Sequence, residues 1–196
     1  MITNRGMNMG TVPNLEEAET LLEEYNQEEF HLKHAKIVSG VMGYFAKELD
    51  PANEQFWRVV GLLHDLDYEK YPEQHCTKEQ EILRERGVDE ALIHAVASHG
   101  YGELVDVKPE HVMEKVLFAT DELTGLIGAV ALMHPTKSVR EVSLKSVKKK
   151  FKQPSFAAGC SREIIQKGAD MLGWTLDELI SKTIAAMQSF AGELGI

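Results

Sequence analysis

Apolar residues are spaced helically along nearly the whole chain, and this pattern limits the possible folds more than any other feature. They recur at intervals of three and four residues. No segment shows the strict alternation of apolar and polar residues that is typical of a half-buried strand. The pattern therefore predicts an all-α protein. Because no internal repeat and no linker-like segment interrupts it, we predict a single compact domain over residues 1–196.

Start and stop signals give the expected helix boundaries. Asn14 is predicted to cap a first helix, and Asp50-Pro51 ends a second helix over residues 28–48. The other predicted helices cover 51–65, 77–87 with Thr77 as N-cap, 89–100 with Asp89 as N-cap, 109–132 with Pro109 as first residue, 139–151, 161–172 and 175–193. The stretch 67–74 contains Pro72 and is predicted to be a loop.

Charge and composition exclude several functional classes. The net charge is −10, which argues against a nucleic-acid polymer or an anionic membrane surface as partner, since both attract basic proteins. No apolar run is long enough for a membrane span, and the N-terminal segment lacks the apolar core of a secretory signal. Cys76 and Cys160 form no disulfide framework. We therefore expect a cytoplasmic protein.

The chain has eight histidines, and those on apolar helix faces are the informative ones. A polar group on a buried face costs free energy unless it is paired, so its presence there calls for a reason. The inward-facing imidazoles and carboxylates come from separate predicted helices and are His34, His64, Asp65, His99 and Asp121. Any one of these histidines is more often an ordinary core residue, but several such coincidences together favour a shared site.

This donor set points to a transition metal. Imidazole with carboxylate suits zinc, manganese, iron or nickel better than magnesium or calcium alone. Helical bundles commonly build metal sites from side chains that face each other in the core. The sequence therefore predicts a divalent-metal site that includes the His64-Asp65 doublet. Cys76, beside His75, is a conceivable soft ligand, but an incidental thiol is the preferred interpretation.

Three segments resemble a known family. HLKHAKIVSGVM at 31–42, GLLHDLD at 61–67 and ATDELTGLI at 119–127 resemble the H…HD…D signature of the HD superfamily. Its members are helical proteins, mostly metal-dependent phosphohydrolases. The resemblance implies an HD-type helical bundle with its core at about 28–130 and a C-terminal helical extension at about 136–196. The segments GLLHDLDYEKYPEQHC and KSVKKKFKQPSFAAG further resemble small stand-alone bacterial HD proteins described as predicted hydrolases.

The resemblance also implies a ligand set. His34, His64, Asp65 and Asp121 match the ligands of one metal ion. Some branches of the family hold two ions, with two further histidines that His75 and His99 match and with Asp65 bridging the pair. His94 and His111 compete for these two places. The implied cofactor is one or two divalent transition metal ions, namely manganese, iron, nickel, cobalt or zinc.

The implied activity is hydrolysis of a small phosphorylated metabolite or nucleotide by metal-activated water, with Asp65 at the catalytic centre. We expect a general acid near the doublet, with Glu69 as first choice and Asp67 as second, although both also suit a solvated acidic loop. Lys148 and Lys149 are candidates for binding substrate phosphate, although a solvated basic face explains them as well. Leu66 to Glu69 lack the glycine and lysine of the HDIG pattern, which makes cyclic-di-GMP a poor substrate guess.

Two other functions remain open. Some HD proteins hold a di-iron centre with the same ligands and activate oxygen, so the ligand set does not separate an oxygenase from a hydrolase. A non-catalytic regulatory module is the third possibility, and the complete core ligand set makes it less favoured. The C-terminal helices at 161–196 complete the core, cover the pocket or form a homodimer, and the sequence does not decide among these.

Overall fold

A computed structural model describes residues 10–196. This part of the chain forms α-helices joined by short 3-10 turns, and its only β-type pairings are two isolated bridges. The helices are α1 (Leu15–Tyr25), α2 (Glu29–Leu49), α3 (Glu54–Leu63), α4 (Lys78–Glu85), α5 (Glu90–Ala97), α6 (Val112–Leu132), α7 (Leu144–Phe151), α8 (Arg162–Leu172), α9 (Leu176–Ser189) and α10 (Ala191–Leu194). The all-α prediction is confirmed. The predicted absence of a secretory signal concerns mainly residues 1–9, which lie outside the described residues.

Two predicted helix starts are confirmed by their capping bonds. Asn14 and Glu17 form a reciprocal capping box at the start of α1, in which each side chain accepts a backbone N–H of the other residue. Asp89 Oδ1 accepts the N–H of Ala91 at 2.9 Å and caps α5. These caps satisfy N–H groups that have no partner inside their own helix.

The predicted start of α6 is wrong. The helix begins at Val112 rather than at Pro109, because His111 serves as its N-cap. The Nδ1 atom of His111 accepts the N–H of Met113 at 3.2 Å, and Glu114 accepts the N–H of His111 at 2.9 Å. A histidine cap with a glutamate three residues later is an uncommon form of capping box, and the rule for proline at the first helical position does not anticipate it.

Two predicted helices are each divided. The basic segment 139–151 forms a 3-10 turn at Val139–Glu141 and then α7, because Ser143 caps the new helix by accepting the N–H of Ser146 at 3.2 Å. The last predicted helix, 175–193, is interrupted at Phe190, where α9 ends and α10 follows. Residues such as serine, which bond to nearby backbone groups, favour caps over helix interiors.

The packing of three helices positions the site. α2 packs against both α3 and α6, and α6 also packs against α8 and α9. Gly61 permits the approach of α3 to α2, since a Cβ there would lie 2.7 Å from Met42 Cγ. The end of α3 therefore lies close to α2, and His64 lies beside His34 with ring centroids 5.1 Å apart. One continuous cluster of buried apolar side chains surrounds these helices.

Among the helices formed by residues 10–196, none combines the length and the hydrophobicity needed to cross a membrane.

Candidate metal centre

Six side chains from five separate segments of the chain converge at one point. His34 comes from α2, His64 and Asp65 directly follow α3, and Asp121 comes from α6. His75 lies in the segment before α4, and His99 lies in the 3-10 turn after α5. All the imidazoles and carboxylates predicted as metal ligands therefore meet at the same site.

The first half of the centre consists of His34, His64 and Asp121 together with the Oδ2 atom of Asp65. His34 Nε2 lies 3.0 Å from Asp121 Oδ1 and 3.6 Å from Asp65 Oδ2. His64 Nε2 lies 3.2 Å and 3.3 Å from the same two oxygens. Two imidazole nitrogens and two carboxylate oxygens thus face a common point.

The second half consists of His75, His99 and Cys76 together with the Oδ1 atom of Asp65. The Nε2 atoms of His75 and His99 are 3.2 Å apart and lie 3.2 Å and 3.6 Å from Asp65 Oδ1. Cys76 Sγ lies 3.5 Å from His99 Nε2. Asp65 therefore spans both halves, with one carboxylate oxygen directed to each.

Three of the four imidazoles are held by a bond at Nδ1. His64 Nδ1 bonds to the Gly61 carbonyl at 2.9 Å, His99 Nδ1 to the Val96 carbonyl at 2.7 Å, and His75 Nδ1 to Asp67 Oδ1 at 2.7 Å. Because these partners only accept hydrogen bonds, each Nδ1 carries a proton, so each Nε2 is the atom that can bind a metal ion once it is deprotonated. Outer partners of this kind orient histidine ligands in metal proteins.

The donor atoms fit a divalent metal ion in each half. Metal bonds of about 2.0–2.2 Å place neighbouring nitrogen and oxygen ligands roughly 3.0–3.5 Å apart, close to the distances in both halves. His64 Nε2 is fully buried and makes no hydrogen bond among the described residues. The two lone pairs of His75 and His99, 3.2 Å apart, repel each other unless a positive charge lies between them.

The electrostatics of the first half also favour a cation. Burial by itself lowers the pKa of His64, yet the carboxylates of Asp65 and Asp121 raise that pKa to about 10. Burial by itself raises the pKa of Asp121, yet the imidazoles of His64 and His34 hold that pKa well below its usual range. The carboxylates stay ionised and create a site in which positive charge is stabilised.

The second half shows the same balance. Burial opposes the charged form of His75, but Asp65 and Asp67 raise its pKa to about 12. Burial likewise opposes ionisation of the Cys76 thiol, but the neighbouring His99 and His75 lower its pKa to about 7. The thiol that the sequence left as incidental therefore lies in a positive environment inside the centre.

A cavity of about 400 Å³ gives access to the centre, a size typical of small-ligand pockets. Its lining includes five of the six predicted ligands, all except His64, together with His31. Its apolar wall consists of Phe30, Tyr68, Leu104 and Ile164, of which the first three are exposed to solvent. Glu103 and Glu122 add acidic groups, and no lysine or arginine belongs to the lining within residues 10–196.

Asp67 does not occupy the predicted place of a general acid. Its side chain is fully buried, and its two oxygens accept from His75 Nδ1 at 2.7 Å and from the N–H of Glu79 at 2.8 Å. The second bond caps α4, whereas Thr77, the predicted cap, makes no side-chain capping bond. Asp67 therefore positions His75 and starts α4, and both of its oxygens are engaged.

Glu69, the first choice for the general acid, does not line the cavity, although its neighbour His31 does. Its Oε2 atom accepts the N–H groups of Gln27 and Glu28 at 2.9 Å and 3.0 Å and contacts His31 Nδ1 at 3.1 Å. The backbone bond from Glu28 and the side chain of His31 hold the pKa of Glu69 below its usual range, against a smaller opposing effect of burial. A carboxyl with a lowered pKa is a poor proton donor near neutral pH, and Glu69 instead anchors the two residues that precede α2.

The predicted phosphate-binding lysines do not line the cavity. Lys148 Nζ pairs with Asp177 at 2.7 Å, and Lys149 lies exposed on α7. The alternative interpretation, a solvated basic face, fits both residues. His94 and His111, the alternatives to His75 and His99, both lie outside the centre. His94 bonds to Glu114, and His111 caps α6.

Sequence reasoning missed two acidic groups near the centre. Glu122 lines the cavity, and burial together with the charge of Asp121 raises its pKa to about 7. It lies three residues before the cavity residue Gly125, a spacing that could have revealed it. Glu79 is fully buried behind His75 with no partner for either oxygen among the described residues, and burial raises its pKa well above its usual range.

Comparisons with models of protein families, with curated proteins and with solved structures gave no match.

Proposed function

We propose that this protein is a metal-dependent phosphohydrolase of the HD type, acting on a small phosphorylated metabolite or mononucleotide. One observation carries the proposal: the two carboxylate oxygens of Asp65 are directed to two separate sets of imidazole donors, within 3.6 Å in each case. This arrangement suits a pair of divalent ions. When bound, such ions lower the pKa of a bound water and polarise a phosphoryl oxygen.

The chain's own residues would position the ions and their ligands. Asp65 fixes the distance between the two halves, while the carbonyls of Gly61 and Val96 keep His64 and His99 in the ligating tautomer. Glu122 faces the cavity as a carboxyl with a raised pKa, whereas the predicted proton donors Asp67 and Glu69 are engaged elsewhere.

The cavity wall favours a substrate with little negative charge. Enzymes that bind polyphosphates usually add lysine or arginine contacts to the metal, and the described lining of this cavity has neither. Glu103 and Glu122 would repel additional phosphate groups. The exposed side chains of Phe30, Tyr68 and Leu104 suit an aromatic or aliphatic body. A phosphomonoester with one phosphate therefore fits better than a nucleoside triphosphate.

A cytoplasmic location belongs to the same proposal. Both cysteines are free thiols, and Cys76 lies among potential metal ligands. A reducing compartment keeps such thiols from forming disulfides.

A phosphatase screen with the metal-reconstituted full chain tests this function. The substrates are mononucleotides, sugar phosphates, dinucleotides and nucleoside triphosphates, each assayed with zinc, manganese, cobalt, nickel or iron. We expect phosphate release from monoesters, and a loss of roughly 1,000-fold in kcat/KM for His64→Ala, because a metal ion contributes several kcal/mol to the transition state.

His94→Ala is the matched control, since His94 bonds to Glu114 outside the centre and should keep full activity. Two results would contradict the proposal. One is hydrolysis that survives His64→Ala. The other is a protein that hydrolyses none of these esters and instead consumes oxygen when it is loaded with iron.

A further inference from the structure

The second half of the centre contains a sulfur atom that the proposed function does not use. Cys76 is fully buried, and its Sγ atom lies 3.5 Å from His99 Nε2. We propose that the Cys76 thiolate is a ligand of the metal ion held by His75 and His99, so that the second half is a mixed sulfur and nitrogen site. This inference rests on the proposed metal centre.

The spacing of the nitrogen and sulfur donors agrees with that of ligands of one tetrahedral ion. Zinc bonds of about 2.0–2.1 Å to nitrogen and 2.3 Å to sulfur imply separations of roughly 3.3–3.4 Å between two nitrogens and roughly 3.6 Å between nitrogen and sulfur. The corresponding distances here are 3.2 Å from His75 Nε2 to His99 Nε2 and 3.5 Å from His99 Nε2 to Cys76 Sγ. Asp65 Oδ1 lies 3.2 Å and 3.6 Å from the two nitrogens.

A simple hydrogen bond from the thiol explains less. The S–H group of Cys76 could donate to His99 Nε2, but the close approach of His75 Nε2 to both His99 Nε2 and Asp65 Oδ1 then requires a second proton on His75. Both Nδ1 atoms are already bonded to acceptors, so neither ring can easily turn its proton toward the other. A metal ion held between the two nitrogens accounts for their close approach, and the donor atom of Cys76 lies within 4.8 Å of both and can bind the same ion.

The local backbone places the thiol in the cluster. Successive side chains of an extended chain point to opposite sides, yet the donor atoms of His75 and Cys76 both lie within 4.8 Å of that of His99. Cys76 has φ 63°, a left-handed conformation that residues other than glycine rarely adopt. Gly100 makes room for the sulfur, since a Cβ there would lie 2.5 Å from Sγ.

The proposal separates the metal preferences of the two halves. A thiolate ligand favours zinc, cobalt or iron over manganese and magnesium, which prefer oxygen ligands. The first half has only nitrogen and oxygen donors and accepts a wider range of ions. The softer ion should therefore occupy the half that contains Cys76.

Spectroscopy of the metal-loaded full chain tests the sulfur ligand directly. Cobalt(II) gives a near-ultraviolet charge-transfer band only when a thiolate is bound, and zinc X-ray absorption separates a sulfur neighbour at about 2.3 Å from nitrogen or oxygen at about 2.0–2.2 Å. We expect both signals in the wild-type protein and in Cys160→Ser, the control for the second thiol, which lines the same cavity. Cys76→Ser and Cys76→Ala should lose both signals and bind the second ion at least tenfold more weakly.

The outcomes separate this inference from the proposed function. A wild-type protein that binds metal with nitrogen and oxygen neighbours only overturns the role of Cys76 and leaves the hydrolase proposal intact. Failure to bind any metal overturns both. Should the Cys76 variants fail to fold, the wild-type spectra and the Cys160→Ser control still decide the question.

Discussion

The two halves of the candidate metal centre are built on very different supports. In the first half, His34 and Asp121 come from the interiors of α2 and α6, two of the longest helices, and His64 directly follows α3. In the second half, His75 follows a short 3-10 turn and His99 lies within another. The first half is therefore fixed by the packing of the core, whereas the second depends on individual hydrogen bonds.

This difference shows which residues hold the donor atoms of each half in place. Gly61 lets α2 and α3 approach closely, and the rest of the first half follows from helix packing. The second half needs Asp67 to hold His75, Val96 to hold His99 and Gly100 to leave space for Cys76. Asp65 joins the two, so variants at or near it separate the contributions of the halves.

The largest effect is expected from Asp65→Ala, which removes the only residue shared by both halves. Each half loses a carboxylate oxygen within 3.6 Å of its imidazoles. We expect weaker metal binding in both halves and a fall of roughly 1,000-fold or more in kcat/KM. Metal analysis with a phosphatase assay checks this. A variant that loses metal from one half alone would show that Asp65 does not bridge them.

A smaller and more selective effect is expected from Asp67→Ala. The second half should bind its ion about 10- to 100-fold more weakly, because outer partners of histidine ligands contribute this much to metal affinity. The first half should be unchanged, since no atom of it bonds to Asp67 among the described residues. Competition titrations with a chelator resolve the two affinities.

Asp89→Ala is the matched control for the lost helix cap. Asp89 caps α5 much as Asp67 caps α4, so its removal should cost about 1 kcal/mol of stability without changing metal affinity. If Asp67→Ala weakened metal binding equally in both halves, this would contradict the separate support of the second half.

The periodicity of the apolar residues was enough to predict the all-α class. It was also enough to place His34, His64 and Asp121 of the first half on inward helix faces. The role of Asp67 was not predictable in this way. It is an acidic residue in an apparent loop, and only the folded chain brings it to His75 and to the start of α4. Cys76 likewise gains its place from a left-handed backbone and from Gly100, two features without periodicity.

The smallest effect is expected from Lys148→Ala, because Lys148 lies outside both halves. The ion pair with Asp177 is partly exposed, and such pairs contribute about 0–1 kcal/mol. We expect a change of stability within that range and an unchanged KM for phosphate esters. Thermal unfolding and steady-state kinetics check this. A clear rise in KM would return Lys148 to the substrate site.

Metal content of the purified and reconstituted full chain tests the central claim most directly. Elemental analysis of the wild-type protein should find about two transition metal ions per chain after reconstitution, as expected for a two-metal site, and His64→Ala should retain fewer. A wild-type chain that holds none under any reconstitution condition would contradict a metal centre built on His64 and Asp65.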